Sequence, residues 1–143
     1  MSGVLDPARY VSHLPAISGD LPPGALAFAT DPDHYDFRSR RCVKDLVLRA
    51  VRGAGGEEME VEFQHSCWKH DEDLLIRYAG VSGFVIDPAD EDLGTDLGAV
   101  VLDEILPHGA GCSHEIACRE GTLTIFCRDL QAVWTKTACS RDS

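Results

Sequence analysis

A chain of 143 residues, 44% of them apolar, is the size of one domain and long enough to bury a core without disulfide staples. Its net charge of −11 argues against nucleic acid and against an anionic membrane as partner, because both would repel it. No run reaches the roughly 18 apolar residues of a membrane helix, and MSGVLDPARY lacks the basic-then-apolar order of an export signal, so a cytoplasmic protein is expected. In that compartment the six cysteines read as reduced thiols, with Cys118 and Cys127 filling apolar strand faces.

Asp6-Pro7 has the form of a helix start, with Asp as N-cap and Pro at the first helical position; a short N-terminal helix over 8–14 follows, and Pro15 is expected to stop it. Residues 16–32 are rich in Gly, Pro and small side chains and predict an irregular arm laid on a sheet, Leu26 and Phe28 sharing a face. The segment 42–51 is rich in Val and Leu, GAGG follows, and then Met59, Val61 and Phe63 alternate with Glu58, Glu60 and Glu62, which predicts a β-hairpin of 42–51 with 59–65. The basic first strand, with Arg49 and Arg52, then lies beside an acidic second strand, so the arginines either pair internally or form a recognition patch.

LLIRYAG and VSGFVID are two further strand-like runs broken near Gly80, and the loop after them carries Asp87, Asp90, Glu91, Asp92 and Asp96 in a spacing that does not fit a calcium-binding loop. Residues 97–106 fit helix or strand, with strand favoured by valine content. From there to Lys136, short alternating runs (Leu123, Ile125, Cys127; then Leu130, Ala132, Trp134) are joined by connectors too short for crossover helices, so neighbouring strands should pair antiparallel. Glu120-Gly121 reads as a hairpin turn, and Arg128-Asp129 as a turn, a bulge or a bend within one long strand.

The fold class expected is therefore mainly β: an antiparallel β-sandwich or curved half-barrel of seven or eight strands with a short N-terminal helix. It forms a single domain over 1–143, with 1–33 as helix and arm, 34–136 as the β-rich core and 137–143 as a tail. Phe37, Leu46, Leu48, Val61, Phe63, Leu74, Ile76, Phe84, Ile86, Val100, Leu102, Ile116, Leu123, Ile125, Leu130 and Trp134 are the residues expected inside.

Chemistry has two candidate homes. His65, Cys67 and His70 in one loop, with His108, Cys112 and His114 in another, offer nitrogen and sulfur ligands for zinc or a similar divalent metal, or a thiol activated by histidine, if the loops meet. The spacing matches no zinc signature, and His114-Glu115 is not continued to H-E-x-x-H. The stretch 107–125, PHGAGCSHEIACREGTLTI, resembles the first metal-binding motif of cupins, although Cys112 stands where a histidine is expected.

From His34 onward, the order HYDF, RCVKDLVL, an acidic strand, LLIRYAGV, FVID, an acidic loop, VVLDEIL, SHEI and TLTIFCRDLQAVW resembles small uncharacterised bacterial β-rich proteins, some grouped with immunity proteins of polymorphic toxin systems. That resemblance implies a platform without catalysis or cofactor that caps a basic protein partner. Its binding candidates are Glu58, Glu60, Glu62, Trp68, Asp71, Glu72, Asp73, Asp90, Glu91 and Asp92. An exposed sheet edge leaves a homodimer open. The non-catalytic binding module is the preferred expectation, and the metal- or thiol-dependent enzyme the alternative.

Overall fold

The computed structural model of the protein describes residues 8–36, 42–53, 56–65, 72–87, 97–109 and 111–136. Eight strands follow two helices: α1 (Ala8–Ile17), a 3₁₀ turn (Ser18–Asp20), α2 (Pro23–Ala29), β1 (Val47–Gly53), β2 (Met59–Gln64), β3 (Glu72–Ala79), β4 (Gly83–Asp87), β5 (Val100–His108), β6 (Gly111–Cys118), β7 (Gly121–Cys127) and β8 (Asp129–Lys136). They form two four-stranded antiparallel sheets, β1-β2-β3-β8 and β4-β7-β6-β5, which are not closed into a barrel. The expected mainly-β antiparallel architecture is the one observed, and residues 97–106 extend as strand from Val100 onward.

The alternation in the sequence decides which side chains turn inward. Val61 and Phe63 on β2, Leu74 and Ile76 on β3, and Leu123 and Ile125 on β7 have no measurable exposure. At about 25 cal/mol per Å² of apolar area, faces of this kind supply most of the drive to fold. One ribbon carries the chain between the sheets. β3 pairs with β8 and β4 pairs with β7, and both chains change sheet at the same level, at Gly80 and at Arg128. The Arg128 amide donates to the carbonyls of Ala79 (2.9 Å) and Gly80 (3.1 Å), and Gly80 takes a φ of +65° that glycine adopts without cost. The Arg128-Asp129 step is thus a bend in one long strand. On the other side the sheets touch through the Val47–Ala99 bridge and the Val100 amide, which donates to the Leu46 carbonyl at 2.7 Å.

Four expectations need correction. Pro15 lies inside α1, because the carbonyl it leaves without an intrahelical donor is that of Val11 and both residues face solvent, while Tyr10 and Leu14 anchor the opposite side. The arm is not irregular but contains α2, so Leu26 and Phe28 do not share an extended face. The first strand begins at Val47, since Asp45 adopts a φ of 78° and turns the chain. Phe84 is 43% exposed because β4 is an edge strand whose inward side reaches beyond the cover of the opposite sheet. Phe37 lies outside the described residues.

The first turn of α2 has no side-chain cap of its own: its N-cap is Pro22. Asp129, at the bend into β8, supplies one from across the fold, accepting from the amides of Gly24 (3.1 Å) and Ala25 (2.9 Å). These amides have no partner within the helix, and a carboxylate there also meets the positive end of the helix dipole. Asp129→Ala is expected to cost about 1 kcal/mol, measurable by urea unfolding. The arm is thereby fixed against β8 of one sheet and β5 of the other.

Candidate functional site

Where the arm meets both sheets, four polar side chains are packed into the core. Asp103 on β5 is the centre. His34, in the turn after α2, places Nε2 at 2.8 Å and 2.9 Å from the two oxygens of Asp103, and His114 on β6 places its Nε2 at 2.7 Å from Oδ2. Nδ1 of His34 lies 2.8 Å from the Phe28 carbonyl, and Nδ1 of His114 lies 2.8 Å from the hydroxyl of Tyr78 on β3. None of the four exceeds 2% exposure.

Hydrogen-bond bookkeeping assigns the protons. A carbonyl only accepts and a carboxylate accepts, so both nitrogens of His34 donate and the ring is an imidazolium. Burial pushes His34 toward its neutral form, but the charge of Asp103 and the hydrogen bond to it overcome this and raise its pKa. Burial likewise pushes the Asp103 carboxyl up, and His34 and His114 together hold it well below the usual carboxylate range. Tyr78 is pushed far up by burial and remains protonated, and its hydroxyl shares a hydrogen bond with Nδ1 of His114. The ring of Phe28 lies 4.1 Å from that of His34, a distance at which a cation and an aromatic ring attract.

Two more tyrosines of the arm bond to the backbone of β5. Tyr35 donates to the Asp103 carbonyl at 2.9 Å, and Tyr10 donates to the Ile105 carbonyl. Burial raises the Tyr10 phenol to about 12, so it too stays protonated at neutral pH. The whole assembly is a hydrogen-bonded clamp joining the arm, β5, β6 and β3. With such burial it presents no side chain of the four to solvent.

Of the six residues weighed as metal ligands or thiol machinery, the four that are described, His65, His108, Cys112 and His114, are not brought together in one site. His65 closes the end of the β2–β3 hairpin, where Asp73 Oδ1 is 2.6 Å from Nδ1 and accepts the His65 amide at 2.9 Å. His108 is exposed and rests on the Phe126 ring, centroids 4.8 Å apart. Cys112 faces Cys127, and His114 is turned to Asp103. Cys67 and His70 lie outside the described residues; among the described residues no three His, Cys, Asp or Glu side chains are grouped to hold a metal ion. His34, Asp103 and Tyr78 were missed at the sequence level. The one available signal was Asp103, an acidic residue in the inward register of a strand with Ile105.

Of the acidic candidates, Glu60 is paired with Arg52 (3.2 Å) and Arg77 (3.4 Å), and Glu62 with Arg49 (3.8 Å) and Arg52 (3.7 Å). The arginines of β1 therefore pair internally, and such exposed pairs are worth less than about 1 kcal/mol each. Glu58 is exposed just before β2, Asp73 is held by His65, and Glu72 stands opposite Lys136. Trp68, Asp71, Asp90, Glu91 and Asp92 lie outside the described residues.

Acidic residues with no cation paired to them among the described residues are found on the other sheet. Glu104 on β5 stands directly opposite Glu115 on β6, and the row continues through Thr124 on β7 to Val85 on β4. These side chains point away from the core, opposite to Asp103, Ile105 and His114. Partial burial, then the facing Glu115 carboxylate, push the Glu104 carboxyl up. Leu106, two residues along β5 from Glu104, is 41% exposed, and Val85, at the far end of the row, is 55% exposed.

The molecule is thus defined as a two-sheet antiparallel β-sandwich with a helical arm clamped by a buried His–Asp–His–Tyr cluster. No family model, no curated protein and no solved structure matches the chain. Among the described residues no helix is long and apolar enough to cross a membrane.

Proposed function

We propose that this chain is a non-catalytic protein-binding module, immunity-like or adaptor in manner, and that it takes a basic protein partner on the outer face of β4-β7-β6-β5. The observation that carries this reading is the Glu104–Glu115 pair. Like charges directly opposite across strands oppose folding, and no ion pair among the described residues offsets this one. A basic side chain from a partner relieves that repulsion, and exposed Leu106 beside it and Val85 at the other end of the row supply apolar contact. Compared with the Arg-neutralised face of β1-β2-β3, this face offers a cation more.

Two measurements test the reading. Glu104→Gln is expected to raise stability by roughly 0.2–1 kcal/mol at neutral pH. The gain should fade in acid, because a carboxyl whose pKa is raised by folding opposes the fold only when ionised. In pull-downs from a lysate of the source cells, a genuine partner is released by salt, lost with Glu104→Arg/Glu115→Arg and retained by Glu60→Gln/Glu62→Gln. A protein captured equally by all three chains, or lost only with the β2 variant, would overturn the assignment of the face.

A further inference from the structure

Behind the proposed binding face lies a pair of side chains that neither the buried clamp nor that face uses. Cys112 on β6 and Cys127 on β7 are direct cross-strand partners, both turned into the core, with sulfurs 3.7 Å apart. Directly opposed residues of an antiparallel pair have Cα atoms about 4.5–5.5 Å apart, inside the ~4.4–6.8 Å range that a disulfide spans. The sulfurs need only close to about 2.05 Å, which rotation about the Cα–Cβ bonds supplies.

The backbone is already drawn tight at this point. A Cβ on Gly111, the residue before Cys112, would lie 2.1 Å from the Cys127 carbonyl oxygen and 2.6 Å from Cα of Arg128. Only glycine permits so close an approach. Cys127 retains 6% exposure at the end of β7, beside the bend at Arg128, and Cys112 behind it has none, so the pair is approached from the Cys127 side.

We propose that Cys112 and Cys127 form a redox site: a dithiol that a small peroxide converts to a cross-strand disulfide joining β6 to β7, and that a thiol reductant restores. The chemistry balances in two steps. The Cys112 thiolate attacks one oxygen of hydrogen peroxide, the O–O bond breaks, and hydroxide leaves, giving a sulfenic acid. The Cys127 sulfur then attacks that sulfur, the S–S bond forms, and hydroxide departs with the Cys127 proton as water. Two thiols are oxidised, one peroxide is reduced and two waters result once the first hydroxide is protonated.

The order of attack follows from the contact itself. Either sulfur can donate in this contact; with Cys112 as the acceptor, the Cys127 thiol holds Cys112 below the ordinary thiol range, while the same contact, with burial, pushes Cys127 up. Cys118, pushed up to about 12 by burial, lacks such a partner and serves as the internal comparison. The bond would tie together the two strands whose outward side chains include Glu115 and Phe126.

The test uses the full chain, reduced, freed of reductant and treated with hydrogen peroxide. A tryptic digest is expected to contain one species joining the peptides that carry Cys112 and Cys127, two hydrogen masses below their sum. It should vanish on dithiothreitol treatment and be missing from Cys112→Ala. Because Cys118 lies on the same tryptic peptide as Cys112, fragment spectra and a Cys118→Ser chain, which should still cross-link, assign the sulfur. Peroxide that leaves both thiols free, drives either to sulfinic acid without a cross-link, or joins Cys127 to another cysteine overturns the proposal.

Discussion

Asp103→Ala is expected to remove about 3–5 kcal/mol of stability, the usual cost of breaking a buried ion pair by deleting one partner. Against a typical total of about 5–15 kcal/mol, this is the largest effect of any single side chain described above. The deletion leaves the Nε2 atoms of two imidazoles without an acceptor, at a site where neither histidine exceeds 2% exposure. Urea unfolding measures it, and a loss below about 1 kcal/mol would show that the clamp carries little of the fold.

The same cluster sets a pH profile. The Asp103 carboxyl is lowered by folding, so its contribution is complete above about 4, the unfolded carboxyl value, and is lost as pH falls through the folded pKa. His34 is raised by folding, so its contribution is complete below about 6.5 and is lost as pH rises through the folded value. From these two groups the wild-type chain is expected to be most stable between roughly pH 4 and 6.5 and to weaken on either side. In Asp103→Asn both dependences should largely disappear. Nitrogen chemical shifts of His34 that report a neutral ring at pH 6 would sink the imidazolium assignment.

Gly24→Ala is the second large effect, about 3 kcal/mol at least. A Cβ at Gly24 would lie 2.0 Å from the Leu130 carbonyl oxygen and 3.1 Å from its carbon, and neither belongs to a flexible side chain. Overpacking of this kind typically costs about 1–3 kcal/mol. Here α2 must also lift from β8, losing the cap from Asp129 and shifting Phe28, whose carbonyl holds His34. Loss of the alkaline limb of the pH profile should therefore accompany the loss of stability. Gly19→Ala is the control, since nothing lies within 4 Å of its Cβ position and the change should be neutral or slightly stabilising. Equal stabilities for the two variants would contradict the packing of α2 on β8.

The fold was largely legible because period two survives in nearly every strand. Leu123, Ile125 and Cys127 alternate on β7 as Met59, Val61 and Phe63 do on β2, and all six are buried. Short connectors then left antiparallel pairing as the simplest choice. The helical arm was less legible. The cap of α2 comes from Asp129, 105 positions beyond Gly24, and local propensity carries no trace of so distant a partner. Pro15 misled for a related reason: the helix that tolerates it is held by the burial of Tyr10 and Leu14.

The site was the least legible part. His65, His108 and His114 look alike in a sequence, yet one closes a hairpin, one lies exposed on Phe126 and one sits in the core against Asp103. Glu60 and Glu62 stood out as an acidic run, whereas register pairs them with arginines. Glu104 and Glu115, eleven positions apart, are set face to face only by the β5–β6 register.

What the sequence by itself determined was the strand content, the antiparallel pairing, the inward faces and the acidic balance, all of which follow from local periodicity and composition. The tertiary structure alone decided which strand joins which sheet, which charges are neutralised, and that His34, Asp103, His114 and Tyr78 share one buried network. The physical reason is that hydrogen bonds and ion pairs act over a few ångströms of space, whatever the separation along the chain, and His34 and Asp103 are 69 residues apart.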